Sequence, residues 1–212
     1  MLESHRGWDP GAIELGRQLA QAYGAPFFAS TTTRLLIDLN RSIGNQQLFS
    51  ELTRGLAREL RLAIVASHYR PYRDAVEGEI ARLVSAGVHV VHVASHSFTP
   101  VMKGVARRAD VAWLYDPRRA RERDLSRRWR TALAKRCPDL LLRRNVPYRG
   151  RSDGLAALLR TRFADADYAG IELEGNQRFV AHAGAPWDTL RRHLVHSLAE
   201  ALQAEAVHDA SR

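Results

Sequence analysis

Apolar positions recur along this 212-residue chain with two different periods, and their alternation predicts the architecture. In GAIELGRQLAQAYG (residues 11–24), Ile13, Leu15, Leu19 and Tyr23 fall at near-helical spacing and the stretch closes on a glycine, as a helix does. APFFAS (25–30) and RLLIDL (34–39) are short apolar runs parted by TTT, and both are expected to be strands. A helix is expected over 47–60, followed by RLAIVASHYRPYR (61–73), whose pattern fits neither period. DAVEGEIARLVSAG (74–87) is helical and leads into VHVVHVAS (88–95), a strongly β-branched strand. DVAWLYD (110–116), LLLRRN (140–145) and YAGIELEG (168–175) are further strands. Helices over 122–137 and 154–163 separate them, and an amphipathic helix over 187–206 follows the last. This alternation predicts an α/β sandwich around a mainly parallel or mixed sheet. No repeat or linker divides the chain, so residues 1–212 are expected to form one domain.

Polar residues gather just after the apolar runs: Asp38, Asn40 and Arg41; His96, Ser97 and Thr99; Asp116; Asn145; Glu174, Asn176 and Gln177. Parallel strands would bring such ends to one rim of the sheet, where open α/β folds place their ligands.

Composition narrows the function. The chain is 45% hydrophobic and 26% charged, as an ordinary soluble domain is. It has no apolar run long enough to span a membrane. MLESHRGWDP lacks the apolar centre of a secretory signal, so a cytoplasmic location is expected. A single cysteine, Cys137, excludes an internal disulfide and a thiolate metal cluster. The net charge of +9 comes almost wholly from arginine, with only Lys103 and Lys135 as lysines. Its densest run, RRARERDLSRRWR (118–130), interleaves Glu122 and Asp124 at spacings that allow helical ion pairs. With no aromatic-interleaved basic patch, this describes a solvated helix face, and no nucleic-acid partner is expected.

The chemistry-bearing candidates lie in those polar clusters. His96 could bind a metal, act as a base or hydrogen-bond a turn. His92 is too far along an extended strand to share a metal with it, at about 3.3 Å per residue. Glu172 and Glu174 alternate with Ile171 and Leu173, so both carboxylates leave the strand on one face. They suit either an arginine network or a general base with its neighbour. Asn40 and Arg41 form an amide–guanidinium pair matched to a carboxylate. His68, Arg70 and Arg73 in SHYRPYR are weaker candidates, and Asn145 and Tyr148 in NVPYRGRSDGL touch substrate or shape a loop.

Seven blocks, SHRGWDPGA, RLLIDLNRS, HYRPYR, HSFTP, LYDPRR, NVPYRGRSDGL and GIELEGNQR, stand in the order found in N-formylglutamate amidohydrolase-like proteins, which the chain resembles over residues 5–178. The resemblance implies a three-layer α/β/α sandwich of the phosphorylase/hydrolase-like kind, in a branch of the zinc carboxypeptidase and aspartoacylase superfamily that hydrolyses an N-acyl amino acid such as N-formylglutamate. It implies Zn²⁺ or another divalent metal as cofactor, with His96 and Asp9 on the metal. It implies Asn40 and Arg41 on the substrate carboxylate, Arg34 on the scissile carbonyl, and Glu174 as base ahead of Glu172. Arg70, Asn145 and Tyr148 are expected to complete the substrate contacts. Family members carry an upstream strand ending in a motif like SCEHGGNRVP, whose histidine ligates the metal. This sequence holds no such motif, so a domain without its first strand is expected, with His96 and Asp9 as a depleted metal site for which His5 is only a weak candidate ligand, and with a bare sheet edge that favours a homo-oligomer. The alternative from another class is a catalytically silent protein of this fold that binds small carboxylates.

Overall fold

The computed structural model describes residues 7–180 and 184–209, with 205–209 described by backbone alone. Helix α1 (Ala12–Tyr23) is followed by a long non-regular segment, then α2 (Arg58–Ile64), a π-helical turn (Val65–Tyr69) and α3 (Arg70–Ser85). Strand β1 (Val90–Phe98) comes next, then a small hairpin of β2 (Val101–Met102) and β3 (Val105–Ala106). The chain continues through β4 (Val111–Leu114), α4 (Ala120–Arg136), β5 (Leu142–Arg144), α5 (Leu155–Arg162), β6 (Tyr168–Asn176) and α6 (Ala185–Asp209).

The main sheet has the order β1-β6-β4-β5. β1 pairs parallel with β6, and β4 parallel with β5, while β4 runs antiparallel to β6. One face is apolar: Val111, Trp113, Ile171 and Leu173 pack with Leu15 and Leu19 of α1, Trp129 and Leu133 of α4, and Leu190, Leu194 and Leu198 of α6. Trp129 crosses this layer fully buried, its Nε1 donating to Leu194 O and Ser197 Oγ, both at 3.1 Å. On the other face Val76 and Ile80 of α3 and Leu155 and Leu159 of α5 close over Val90 and Tyr168 at the strand starts. The polar residues of β1 and β6 occupy the rest of that face.

The α/β sandwich is as the alternation predicts, but three expectations fail locally. Residues 25–30 and 34–39 form no strand. Their hydroxyls compete with a ladder: Ser30 Oγ accepts from Thr32 N, and Thr33 Oγ1 accepts from Leu35 N. The backbone then curls, with Thr33 O accepting from the amides of both Leu36 and Ile37. Residues 47–60 are mostly turns, because Asn45 Oδ1 accepts from Gln47 N and Ser50 Oγ from Leu52 N. The segment 61–73, by contrast, is helical throughout, its mixed pattern reflecting the π-helical turn. Third, the strand ends do not share one rim. Because β4 starts beside the end of β6 (Val111 opposite Gly175, Leu114 opposite Glu172), Asp116 and Asn145 lie toward the rim opposite His96 and Glu174.

Candidate active site

In the parallel β1–β6 pair, His96 stands directly beside Glu174, and Ala94 beside Glu172. Registered neighbours in a parallel pair project to the same face, so the two-residue period puts His92, His96, Glu172 and Glu174 on one surface. The loop before α1 crosses the end of β1, held by Ser95 Oγ on Ala12 O and Ser97 Oγ on Pro10 O. This crossing delivers Asp9, whose Oδ2 lies 2.8 Å from His96 Nδ1. Gly7 O in turn accepts from Arg34 N and Thr33 Oγ1, which brings the Arg34 guanidinium onto the same Asp9 oxygen.

The electrostatics follow from that packing. Burial opposes charge on the His96 ring, yet the Asp9 bond and the negative fields of Asp9, Glu174 and Glu172 outweigh it and raise its pKa to about 9. Burial also disfavours the Asp9 carboxylate, but His96 and Arg34 reverse the effect and hold its pKa below the ordinary value. For Glu174 burial wins. Despite His96 and Arg34, desolvation with Asp9 and Glu172 nearby pushes its pKa up to about 7. Its Oε2 is buried without a hydrogen-bond partner among the described residues. Deeper on the strand, burial pushes His92 down to about 4, and its Nδ1 lies 2.8 Å from the Tyr168 hydroxyl.

Asn40 and Arg41 approach from the turn-rich segment. Asn40 Oδ1 accepts from Leu155 N at 2.9 Å. Gly154 passes between Asn40 and Glu172, since a Cβ there would sit 3.0 Å from Asn40 Oδ1 and 3.3 Å from Glu172 Oε1. Arg41 donates from Nη1 to Asp153 O, while its buried Nε lies 3.7 Å from the Asp38 carboxylate and makes no hydrogen bond among the described residues. A polar groove of about 300 Å³ opens beside Arg34, lined also by Asp38, Gln46, Gln47 and Arg54. A larger groove of about 390 Å³, bounded by Phe27, Phe28, His68 and Tyr72, contains none of the clustered acids.

Of the residues singled out in the sequence, the structure gathers Asp9, Arg34, His96 and Glu174, with Glu172 and Asn40 alongside and Arg41 on the adjoining turn. Three stand elsewhere. Arg70 is exposed and pairs with Asp74 at 3.7 Å. Asn145 Oδ1 accepts from the amides of Tyr115 and Gly150, which shapes its loop. Tyr148 is exposed and bonds Arg107 Nη1 through its hydroxyl at 3.0 Å. Tyr69, Asp38 and Asp153 were not singled out as site residues. Their partners lie 28, 3 and 112 positions away (Arg41 each time), and only the short Asp38 spacing could have been noticed in the sequence.

A catalytic zinc takes three protein ligands and an open position. Among the described residues no three histidines, cysteines or carboxylates could hold a metal ion, and the facing atoms of His96 and Asp9 bond each other. His5 lies outside the described residues. The described residues alone therefore do not fit such a zinc.

The chain is a three-layer α/β sandwich in which a buried carboxylate and a histidine stand at the ends of adjacent parallel strands and an arginine approaches them from a turn. The family model for N-formylglutamate amidohydrolase matches residues 1–181, and the chain belongs to that family. Among solved structures, the gene product Atu2144 from Agrobacterium tumefaciens is 28% identical, with a TM-score of 0.78 over 97% of this chain and 81% of that one. The N-formylglutamate amidohydrolase from Ralstonia eutropha JMP134 shares the fold at 18% identity, with a TM-score of 0.68 over 94% of this chain and 82% of that one. A comparison with curated proteins found no match. Among the described residues no helix is long and apolar enough to cross a membrane.

Proposed function

We propose that this chain hydrolyses the amide bond of an N-acyl amino acid, with N-formylglutamate the substrate its family indicates, releasing the amino acid and formate. The observation that carries this reading is Glu174: a buried carboxylate with an unpartnered oxygen and a pKa of about 7, flanked by His96 and Arg34. A base tuned to that range both accepts and returns a proton near neutrality. Glu174 takes the proton of an attacking water as its oxygen bonds to the acyl carbon. The same proton passes to the leaving nitrogen as the C–N bond breaks. Protonated His96 and Arg34 face the negative charge that develops on the acyl oxygen. Asn40 and Arg41 hold the substrate carboxylate.

Formate release from N-formyl-L-glutamate, followed across pH, tests the reading. The base acts as carboxylate, so kcat/KM is expected to rise as pH passes through about 7 and to fall once His96 loses its proton near 9. A flat profile with measurable turnover would remove Glu174 from the base role.

The second reading, a silent carboxylate binder, is favoured by the donor set: among the described residues no three groups could hold a metal ion, and His96 Nδ1 and Asp9 Oδ2 bond each other. Zinc measured by elemental analysis tests the metal roles of His96 and Asp9. With no third donor among the described residues, zinc is expected to be lost on dialysis against a weak chelator. One equivalent retained per chain would restore His96 and Asp9 to ligand roles beside a third donor.

A further inference from the structure

Asn40 and Arg41 sit on a turn with no regular secondary structure, yet the carbonyls on either side of Asn40 are both held from one helical rod. The Tyr69 hydroxyl donates to Arg41 O at 2.8 Å, and Arg73 Nη1 donates to Leu39 O at 3.2 Å. Both side chains are buried, Arg73 to 1% exposure. Arg73 also donates from Nε to Glu77 Oε1 at 3.1 Å, and its guanidinium lies 5.2 Å from the Tyr69 ring centroid. Residues four apart on a helix stack in this way. The π-helical turn ends at Tyr69, so the irregular part of the rod is the part that meets the turn. Such insertions recur where a helix must aim a functional side chain.

Energetics sharpen the point. Removing an arginine from water is unfavourable, and a well-packed apolar residue commonly gives an equally stable core. What an apolar residue cannot give is a directed hydrogen bond to Leu39 O. Asp153 completes the frame from the other side, its Oδ2 accepting from Ser42 N at 2.9 Å and from Asn45 Nδ2 at 2.7 Å.

We infer that Tyr69 and Arg73 are positioning residues: they fix the Leu39–Arg41 backbone so that the Asn40 amide and the Arg41 guanidinium face a substrate carboxylate together. This rests on the clamp role given to Asn40 and Arg41 above. Among the described residues, the polar partners of Tyr69 and Arg73 are Arg41 O, Leu39 O and Glu77, and neither is hydrogen-bonded to Glu174 or His96.

The test is calorimetric titration of the full chain with N-formyl-L-glutamate and with its bis-amide, which lacks both carboxylates, every chain, otherwise wild type included, carrying Glu174→Gln so that the ligand is not consumed. Tyr69→Phe keeps the ring under Arg73 and removes one neutral hydrogen bond, so affinity for the diacid is expected to fall about 3–10-fold. Binding of the bis-amide stays unchanged. Arg41→Ala weakens the diacid at least as much, and adding Tyr69→Phe to Arg41→Ala produces little further loss, because the two act as one unit. Arg73→Lys, which keeps the charge but not the geometry, moves in the same direction as Tyr69→Phe and serves should the latter fail to fold. If Arg41→Ala weakens the diacid while folded Tyr69→Phe and Arg73→Lys do not, the positioning role is wrong and the clamp stands. If Arg41→Ala leaves the diacid unaffected, or wild type binds neither ligand, the clamp and this inference fall together. Equal weakening of diacid and bis-amide would show a general structural role and overturn the inference alone.

Discussion

Replacing Glu174 by glutamine is expected to lower kcat about 10²–10⁴-fold while leaving the dissociation constant for N-formyl-L-glutamate nearly unchanged. The substitution preserves shape, keeps a hydrogen-bonding group at a buried position, and removes only the ability to accept and return a proton. Steady-state rates of formate release with calorimetric binding check both halves. Turnover within a fewfold of wild type would exclude Glu174 as the base. The same substitution carries a stability signature of opposite sign. The folded-state pKa of Glu174 is raised to about 7 from an ordinary 4.5, so the folded state holds its proton more firmly than the unfolded chain. Whatever stability that proton supports is present below about 4.5 and lost as pH rises through about 7. Glu174→Gln cannot ionise, so its unfolding midpoint is expected to exceed that of wild type at pH 8 and to approach it at pH 4. Lost turnover with gained stability would mark a residue held in a costly state for chemistry.

Glu122→Ala is expected to destabilise the fold by about 3–5 kcal/mol, measured by urea unfolding. Glu122 is fully buried where α4, α5 and the start of β6 meet. Its carboxylate accepts from Asp116 N at 2.8 Å, Gly170 N at 3.0 Å and Arg160 Nε at 2.8 Å. Arg160 continues to Gly170 O at 2.8 Å, and Arg119 reaches Tyr168 O at 2.7 Å. Removing the carboxylate leaves two backbone amides without partners and a buried Arg160 guanidinium with only the carbonyls of Gly150 and Gly170 to offset its charge, a penalty larger than the pair's own net worth. The double replacement Glu122→Met with Arg160→Met should therefore cost less than Glu122→Ala alone. A single variant milder than the double would show that the network is not uniquely bonded to Glu122.

The parts legible in the sequence were those whose pattern reflects a single environment. VHVVHVAS and YAGIELEG announce strands because β-branched and apolar residues fill them, and the period of two puts both glutamates on one face. GAIELGRQLAQAYG announces a helix because one stripe meets the sheet. Residues 25–39 misled because their apolar side chains serve a different purpose: Leu35 and Ile37 are buried in a turn, not on a ladder. Nothing in the pattern separates a buried turn from a buried strand when both are short. The reversal of β4 was equally hidden, since an apolar run such as VAWL carries no direction. For the site, Glu174, His96 and Asp9 stood in motifs whose order matched the family. The contact between His96 and Asp9 depends on a loop crossing 87 positions away in the chain, which no local spacing encodes. Tyr69 shows the same limit, its hydroxyl being aimed by a π-helical turn.

The parallel pairing of β1 with β6 divides the labour of the site in a way that bears on how such a protein could change. His96 and Glu174 are set side by side by a ladder whose strands stand about 4.8 Å apart, so their separation belongs to the sheet and shifts only if the sheet does. Arg34, Asn40 and Arg41 ride on turns held by individual side-chain bonds. Substitutions in those turns can alter which carboxylate is accepted without disturbing the spacing of Glu174 and His96. Substitutions in the strands have no such freedom, so variation in substrate preference should accumulate in residues 30–55, with the two strand ends left as they are.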